Sequence, residues 1–494
     1  MPCLWVYPQA RLIRSPRTGA TEATRRLEQV AAAAVKLTAV VVPSPTGVPP
    51  ERVRRLLDIE LATFADRHPR SRALHDRARA SLLDGVPMNW MVKWAGPFPL
   101  FLESASGAHA TCADGHKYAD LCLGDTGAMA GHSPAPVREA VERQLRRGIT
   151  TMLPTEDAAW VGEELARRFG LPAWQFTLSA TDANRFSLRI ARAITGRPLV
   201  AVHEYCYHGS VDETFAVLDG GRVVARRGNL GPAVDPSVTT RVVPYNDLDA
   251  LDRALKDGKV AALLIEPALT NVGIVLPEPG YLEGVRELTR RHGTVLIHDE
   301  THTICAGPGG VTGAMNLAPD MLVIGKTIGG GIPVAAYGMT PDIADRARAT
   351  VAWVDADVGG IGGTLAGYAL SMAAARAALS EVLTAEAFER MLPLAMRWER
   401  GVQDAIDRHG APWSVTRLGA RAEYHFMPTP PHDGAEQVAH ADAHLERLLH
   451  LWVMNRGVLM TPFHNMALMS PATAEGDVDR HTAAFDAALE ALFA

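Results

Sequence analysis

The chain is poor in several features that would commit a protein to a familiar role. Its 494 residues hold five cysteines (Cys3, Cys112, Cys122, Cys206 and Cys305), odd in number and never in a CxxC pair. That speaks against a disulfide framework or a zinc site and fits a reducing cytoplasm, with each cysteine a small buried hydrophobe. Positive charge is not in excess: 49 Lys+Arg against 55 Asp+Glu leave a net charge of -6, and no RNA- or DNA-binding motif accompanies it. Nucleic acid is therefore not an expected partner. No membrane span is expected either. The nearest imitation, VAAAAVKLTAVVV at 30–42 behind Arg25 and Arg26, is too short and contains Lys36. It also starts late for a secretory signal and lacks a clear small-residue cleavage site. Residues 1–49 are expected to be a poorly specified extension; an early start codon would account for it, and N-terminal sequencing of the natural protein tests that. Repeats, low-complexity tracts and heptads are absent.

What remains is ordinary globular material, 47% hydrophobic and 21% charged, too long for a single core. ERVRRLLDIELATF places Val53, Leu56, Leu57, Leu61 and Phe64 on one helical face. Short β-like runs broken by Ser-Gly and Asp-Gly predict hairpins over 98–124. SPAPVREAVERQLRRG predicts a helix over 133–148, with Ser133 as cap and Gly148 as stop. From about 175 to 340, nearly all-apolar runs alternate with helical stretches: LVAVHE (199–204), AALLIEP (261–267), TVLIHDE (294–300), MLVIGK (321–326) and VAAYGMT (334–340). That pattern predicts an α/β fold with a mostly parallel sheet covered on both faces. Residues 365–409 read as largely helical, and the remainder as a smaller α+β domain. Ligands bind beyond the carboxyl ends of such strands, and Glu266, Asp299 and Lys326 all fall there.

Lys326, in MLVIGKTIGGG, has three conceivable uses. A P-loop needs GxxxxGK followed by Ser or Thr, but the position five before Gly325 is Asp320 and the residues between are strand. A lone lysine in a glycine-rich turn is normally just exposed; this one follows an inner strand flanked by strands that end in acids. A Schiff-base lysine, presented to an aldehyde cofactor in a mostly dry pocket, accounts for more of the pattern. Pyridoxal phosphate would then need a carboxylate for its ring nitrogen, a phosphate cradle and a stacking face. Asp299 ends TVLIHD. LSATDANRFSLRIARAITGR (178–197) opens a helix whose first amides, around Ala180 and Thr181, can hold a phosphate together with the Thr181 hydroxyl. EYCYHGS (204–210) offers Tyr207 for stacking. Alone, each has a plainer explanation as a strand-end cap, a helix N-cap or a packing aromatic. His298, Asp299, Glu300 and His302 could also be taken for a metal cluster, with His298, Glu300 and His302 on one strand face, but no facing ligands are identifiable, so no metal is expected.

In order, SATDAN, YHG, EP, DETHT, GKTIGGGIP and GGTLAG resemble the S-G-T-E-A-N, Y-H-G, E-P, D-E-x-x-T, G-K, G-G-G-x-P and G-T motifs of the class III (subgroup II) pyridoxal-phosphate aminotransferases of fold type I, which include glutamate-1-semialdehyde aminomutase. The likeness runs from about residue 90 to 490. It implies that Lys326 forms the Schiff base and moves the substrate proton, and that Asp299 binds the pyridine nitrogen. Tyr207 would stack on the ring, Ala180 and Thr181 hold the phosphate, His302 lies near the 3′-oxygen, and Glu266 lines the strand-end row. Thr364 would reach the phosphate of a neighbouring subunit, implying a homodimer with shared sites. The implied division is a segment 50–130 joining the small domain, a large cofactor domain 131–380, and a C-terminal small domain 381–494. The implied chemistry is ping-pong transfer from an amine or amino-acid donor to a carbonyl acceptor, the alternative being an intramolecular aminomutase.

Three departures bear on substrate. SAT stands for SGT; ICAGPGG follows DETHT where the family continues Gly-Phe; and VPMNWMVKWAGPF stands where the aminomutase carries an early arginine motif. The tryptophans and methionines of that stretch, Trp90 and Met91 among them, suggest an apolar wall. Arg421 and Glu423 are candidates for recognising a substrate carboxylate or amine.

Overall fold

A computed structural model describes residues 46–351 and 358–494, so Cys3 and almost all of the expected N-terminal extension lie outside the described residues. The helix Pro50–Arg67 starts on a proline, whose fixed φ suits a first helical position, and buries Val53, Leu57 and Phe64 on the predicted face. The helix Pro69–Ala78 follows, then the antiparallel strands β1 (Leu102–Ser106), β2 (His109–Cys112) and β3 (Lys117–Asp120) where hairpins were predicted. The next helix, Ala135–Leu145, corrects the capping expectation. Its N-cap is Pro134, with Ser133 in the left-handed region at φ 49°, and it ends short of Gly148. Flanking prolines set its start, and Gln144 bonds the Gly148 carbonyl as the chain turns away.

The central part contributes β4 (Ala173–Thr177), β5 (Leu199–His203), a β6 (Ala216–Asp219)–β7 (Arg222–Ala225) hairpin, β8 (Thr240–Val243), β9 (Val260–Ile265), β10 (Val295–Asp299), β11 (Met321–Ile324) and β12 (Ala335–Met339). Seven of these form one sheet in the order β4-β12-β11-β10-β9-β5-β8. All neighbours are parallel except β12, which runs against both β11 and β4. Every residue of β5, β9, β10, β11 and β12 is buried, which is why all five read as continuous apolar runs. The edge strands β4 and β8 were not foreseen. With one neighbour each they tolerate polar residues, and AWQFT and TRVV carry no such run.

The helices Ala369–Ala377 and Ala385–His409 lead to β13 (Ser414–Leu418), β14 (Arg421–His425), β15 (Val458–Leu459) and β16 (Met466–Leu468). β13, β14 and β16 form an antiparallel sheet, while β15 pairs in parallel with β3, so the two ends of the described chain share a sheet. One apolar core surrounds the large sheet and another joins the terminal segments, centred on the fully buried Trp398 against Tyr424. No helix among the described residues is long and apolar enough to cross a membrane. The four described cysteines are buried and unpaired.

The β13–β14 turn is pinned to the segment after β10: Ala420 N–H donates to the Cys305 carbonyl at 2.9 Å. Gly419 sits there at φ 59°, where an added Cβ would overlap Cys305 O and the Ala306 Cα. Gly419→Ala is expected to cost about 1–3 kcal/mol through strain and overpacking, read as a lower denaturant midpoint than the parent protein.

Candidate active site

β10 and β11 are paired so that Asp299 lies opposite Val323, and the Glu300 amide still donates to the Val323 carbonyl at 2.8 Å. β11 then ends, and Lys326 turns back with φ 52°. An unbranched L-residue pays roughly 1–2 kcal/mol in that conformation, a cost usually met at sites that need a particular side-chain direction. Gly325 permits the turn, because a Cβ there would lie 3.0 Å from the Ala335 Cβ and 3.1 Å from that of Ala180. The result is an amine aimed at two partners: Lys326 Nζ donates to Asp125 Oδ2 at 3.1 Å and lies 2.7 Å from His302 Nε2. Burial, then the Lys326 charge, push the His302 imidazole down to about 3. His302 is thus neutral, accepts from Lys326 through Nε2, and donates from Nδ1 to Thr126 Oγ1 at 3.2 Å.

Asp299 is buried at the other side of the cavity. It accepts from Asn184 Nδ2 at 2.7 Å, His208 Nδ1 at 2.9 Å and the Thr301 amide at 3.1 Å. Burial works against its charge, but His208, Thr301 and Asn184 lower its pKa below the usual carboxylate value. Burial also opposes a charge on His208, yet the adjacent Cys206 and Asp299 raise it well above the usual imidazole range. A carboxylate offers about four lone-pair sites, so three donors leave one for a ring N–H.

The helix Ala180–Thr195 supplies the third side. Ser179 caps it, accepting from the Asp182 amide at 3.3 Å, and Gly196 ends it at φ 66°. Its first amides, together with the positive end of the helix dipole, suit an anion. Thr181 Oγ1 accepts from the Ser210 amide at 3.1 Å. Gly209, at φ 74°, presses so closely on Thr181 that any side chain there would overlap it. Tyr207 is positioned through its amide, which donates to Glu266 Oε1 at 3.1 Å, and Thr270 holds the other oxygen of that carboxylate. Its ring lies 5.4 Å from that of Trp90, which in turn meets Phe463 edge-on at 5.2 Å.

Of the residues singled out in the sequence, Trp90, Ala180, Thr181, Tyr207, Asp299, His302 and Lys326 line one cavity of about 240 Å³, with Glu266 directly behind Tyr207. Met91 and Thr364 are exposed and do not line it. Arg421 and Glu423 are buried behind the wall: Arg421 donates to the Thr270 carbonyl and lies 3.9 Å from Asp125 and 3.6 Å from Glu423. The supposed metal ligands diverge. His298 pairs with Thr312 Oγ1, Glu300 accepts the Val311 and Thr312 amides, and His302 faces Lys326. Missed in the sequence were Asp125, Thr126, Asn184, His208 and Thr301. Asn184 and His208 sit inside SATDAN and YHG, and Asp125–Thr126 between two glycines, so these motifs held unused signal. A wider groove of about 570 Å³ beside Asp247, Glu278 and His432 brings no lysine, cysteine, serine or threonine to its wall.

A profile of the class-III aminotransferases matches residues 90–484. The chain belongs to the class-III aminotransferases. This aminotransferase is 34% identical over 438 residues to the glutamate-1-semialdehyde 2,1-aminomutase of Sorangium cellulosum (strain So ce56), a match covering 86% of the chain and 98% of that protein. The crystal structure of a glutamate-1-semialdehyde-aminomutase from Pseudomonas aeruginosa PAO1 matches with a TM-score of 0.89 at 49% identity, covering 90% of this chain and 100% of that one. A lysine-to-alanine variant of that protein, in complex with PMP, matches equally well. An omega-transaminase from Sphaerobacter thermophilus matches with a TM-score of 0.77 at 30% identity, covering 86% and 99%.

The cofactor of this family is pyridoxal phosphate, and the cavity fits it. Thr301 Oγ1 is buried without a hydrogen-bond partner among the described residues, Gly209 leaves a cradle beside Thr181 that a Cβ would fill, and Asp299 retains an acceptor site. Asp299→Asn removes the charge while keeping the shape. The cofactor's absorption is expected to persist while turnover falls on the order of 100-fold or more, as steady-state assay beside a visible spectrum would show.

Proposed function

We propose that this aminotransferase is an intramolecular mutase of the glutamate-1-semialdehyde 2,1-aminomutase type, moving an amino group between adjacent carbons of one substrate. The 49% identity to a protein so named, over that protein's whole length, carries the proposal. It favours the alternative over the two-substrate transaminase expected from the sequence.

Bound pyridoxal phosphate supplies an electron sink and a carbonyl that exchanges amines. The chain supplies everything that steers it. Lys326 holds the cofactor and returns as the amine that moves protons at the substrate carbon. Asp299, held charged by His208 and Asn184, stabilises a protonated ring nitrogen. Ala180 and Thr181 offer the phosphate their amides and a hydroxyl, and Tyr207 covers a ring face. Trp90 backs Tyr207 and contacts Phe463, giving the apolar wall that keeps water from the reacting amine. Met91 lies at the exposed rim of that segment. Arg421 lies behind Asp125, with Glu423 beside it as its own counter-charge, so neither is expected to touch substrate. The reading includes a homodimer in which Thr364 serves a neighbouring copy's phosphate; its exposure and its absence from this chain's own cavity support that reading.

The test uses cofactor-loaded protein with glutamate-1-semialdehyde alone, followed by NMR. A mutase gives the isomer with the amino group on C1 and the carbonyl on C2, without added amine or keto acid. Conversion that stops after about one equivalent and resumes only with a keto-acid acceptor would instead establish a transaminase.

A further inference from the structure

The cluster around the Lys326 amine does more than hold it. Lys326 Nζ is 3.1 Å from Asp125 Oδ2 and 2.7 Å from His302 Nε2, while Asp125 Oδ1 lies 3.7 Å from His302 Nδ1. All three side chains are largely enclosed, with side-chain exposures of 25%, 13% and 8% for Lys326, Asp125 and His302. A protonated lysine cannot attack an aldehyde, and in so closed a space its proton needs an acceptor within reach. His302 is the neutral base in contact with it.

Asp125 is delivered by an unusual stretch of backbone. Leu123, Asp125 and Thr126 all have positive φ, at 44°, 50° and 77°. Strain of this kind persists where surrounding structure over-determines it, and here it places a carboxylate and the Thr126 hydroxyl beside the same His302 nitrogen, Nδ1. Asp125 Oδ1 is buried and makes no hydrogen bond among the described residues, so the carboxylate has acceptor capacity in reserve. Arg421 Nη1 lies 3.9 Å behind it, a counter-charge without a hydrogen bond.

We propose that His302 and Asp125 form a proton relay for Lys326: His302 Nε2 takes the ammonium proton as Lys326 becomes a nucleophile, and Asp125 is the counter-charge wherever that proton resides. Lys326 then has a free lone pair, His302 carries one extra proton, and Nδ1–H keeps its bond to Thr126. No electrons are transferred, and the proton returns to Lys326 when the amine is released. The charged groups facing His302 are Lys326, Arg421, Asp125 and Asp299. While Lys326 is charged it suppresses the imidazolium. Once Lys326 is neutral its opposition disappears; burial, the largest effect, and Arg421 still oppose a charge on His302 while Asp125 and Asp299 favour it, so His302 holds the proton only in passing as the lysine gives it up.

The relay rests on Lys326 being the Schiff-base lysine. It is tested on cofactor-free protein by stopped-flow mixing with pyridoxal phosphate across a pH series, following the visible band of capture and then trapping with borohydride for peptide mapping. His302→Gln can still accept a hydrogen bond from the lysine but cannot take its proton. Capture at pH 7 is expected to slow at least tenfold, with imidazole in the buffer restoring part of the rate. Asp125→Asn is expected to move the acid limb of the capture profile down by a pH unit or more, because the ammonium loses its counter-charge. Equilibrium cofactor content and circular dichroism verify that both variants are folded, and imidazole rescue is a readout that a packing defect would not produce. Capture by His302→Gln within twofold of the parent at every pH, or an Asp125→Asn profile that does not move, overturns the relay. Failure of the parent itself to capture cofactor at Lys326 overturns instead the assignment on which the relay rests.

Discussion

Two adjacent strands must stop at the right levels for this site to exist. β10 ends on Asp299 and β11 ends on Ile324, just before Gly325 and Lys326, in a parallel register that places Asp299 opposite Val323. Because both strands are buried along their whole length, polar groups can emerge only at their ends, and those ends face the start of the Ala180–Thr195 helix. A slip of one residue would turn each strand's side chains to the opposite face, moving carboxylate and amine away from the cavity. The apolar sequence that builds the sheet is therefore also what positions the chemistry.

Within that frame, almost every buried charge has a partner, as low polarity demands. Burial alone would raise the Asp125 carboxyl, but Lys326, His302, His464 and Arg421 together hold it well below the usual carboxylate range. Asp299 answers to His208 and Asn184, Glu423 to His464 and Arg421, and Glu300 to the amides of a short helix. The two carboxylates nearest the chemistry thus stay ionised for different reasons. Asp299 is held by fixed donors at the cofactor's ring end, whereas Asp125 is held in part by the reacting lysine itself. A change in the state of Lys326 is consequently felt first by Asp125 and His302.

The sheet and the residues lining the cavity were legible because each depends on local pattern: five buried strands read as apolar runs, and Lys326, Asp299, Ala180, Thr181 and Tyr207 sit at the ends of recognisable segments. The edge strands β4 and β8 carried no such run. Asp125 escaped notice because its meaning depends on meeting Lys326 across a long stretch of chain, something that spacing cannot express. Which way Arg421 and Glu423 face was hidden for a related reason. All of β14 is buried, so strand alternation does not separate cavity from interior, and both charges turned inward. Transamination and mutase chemistry draw on the same cofactor residues, so the motifs did not distinguish them, and likeness over the full length was needed to favour one.

The most direct test is the visible spectrum of purified protein supplied with pyridoxal phosphate, recorded beside that of Lys326→Ala. A yellow band of the bound cofactor that is reduced by borohydride onto the parent chain, and that has no borohydride-fixable counterpart in Lys326→Ala, is the predicted result. The same covalently fixed cofactor in Lys326→Ala, or no band in the parent at all, would contradict the assignment of this cavity as the cofactor site.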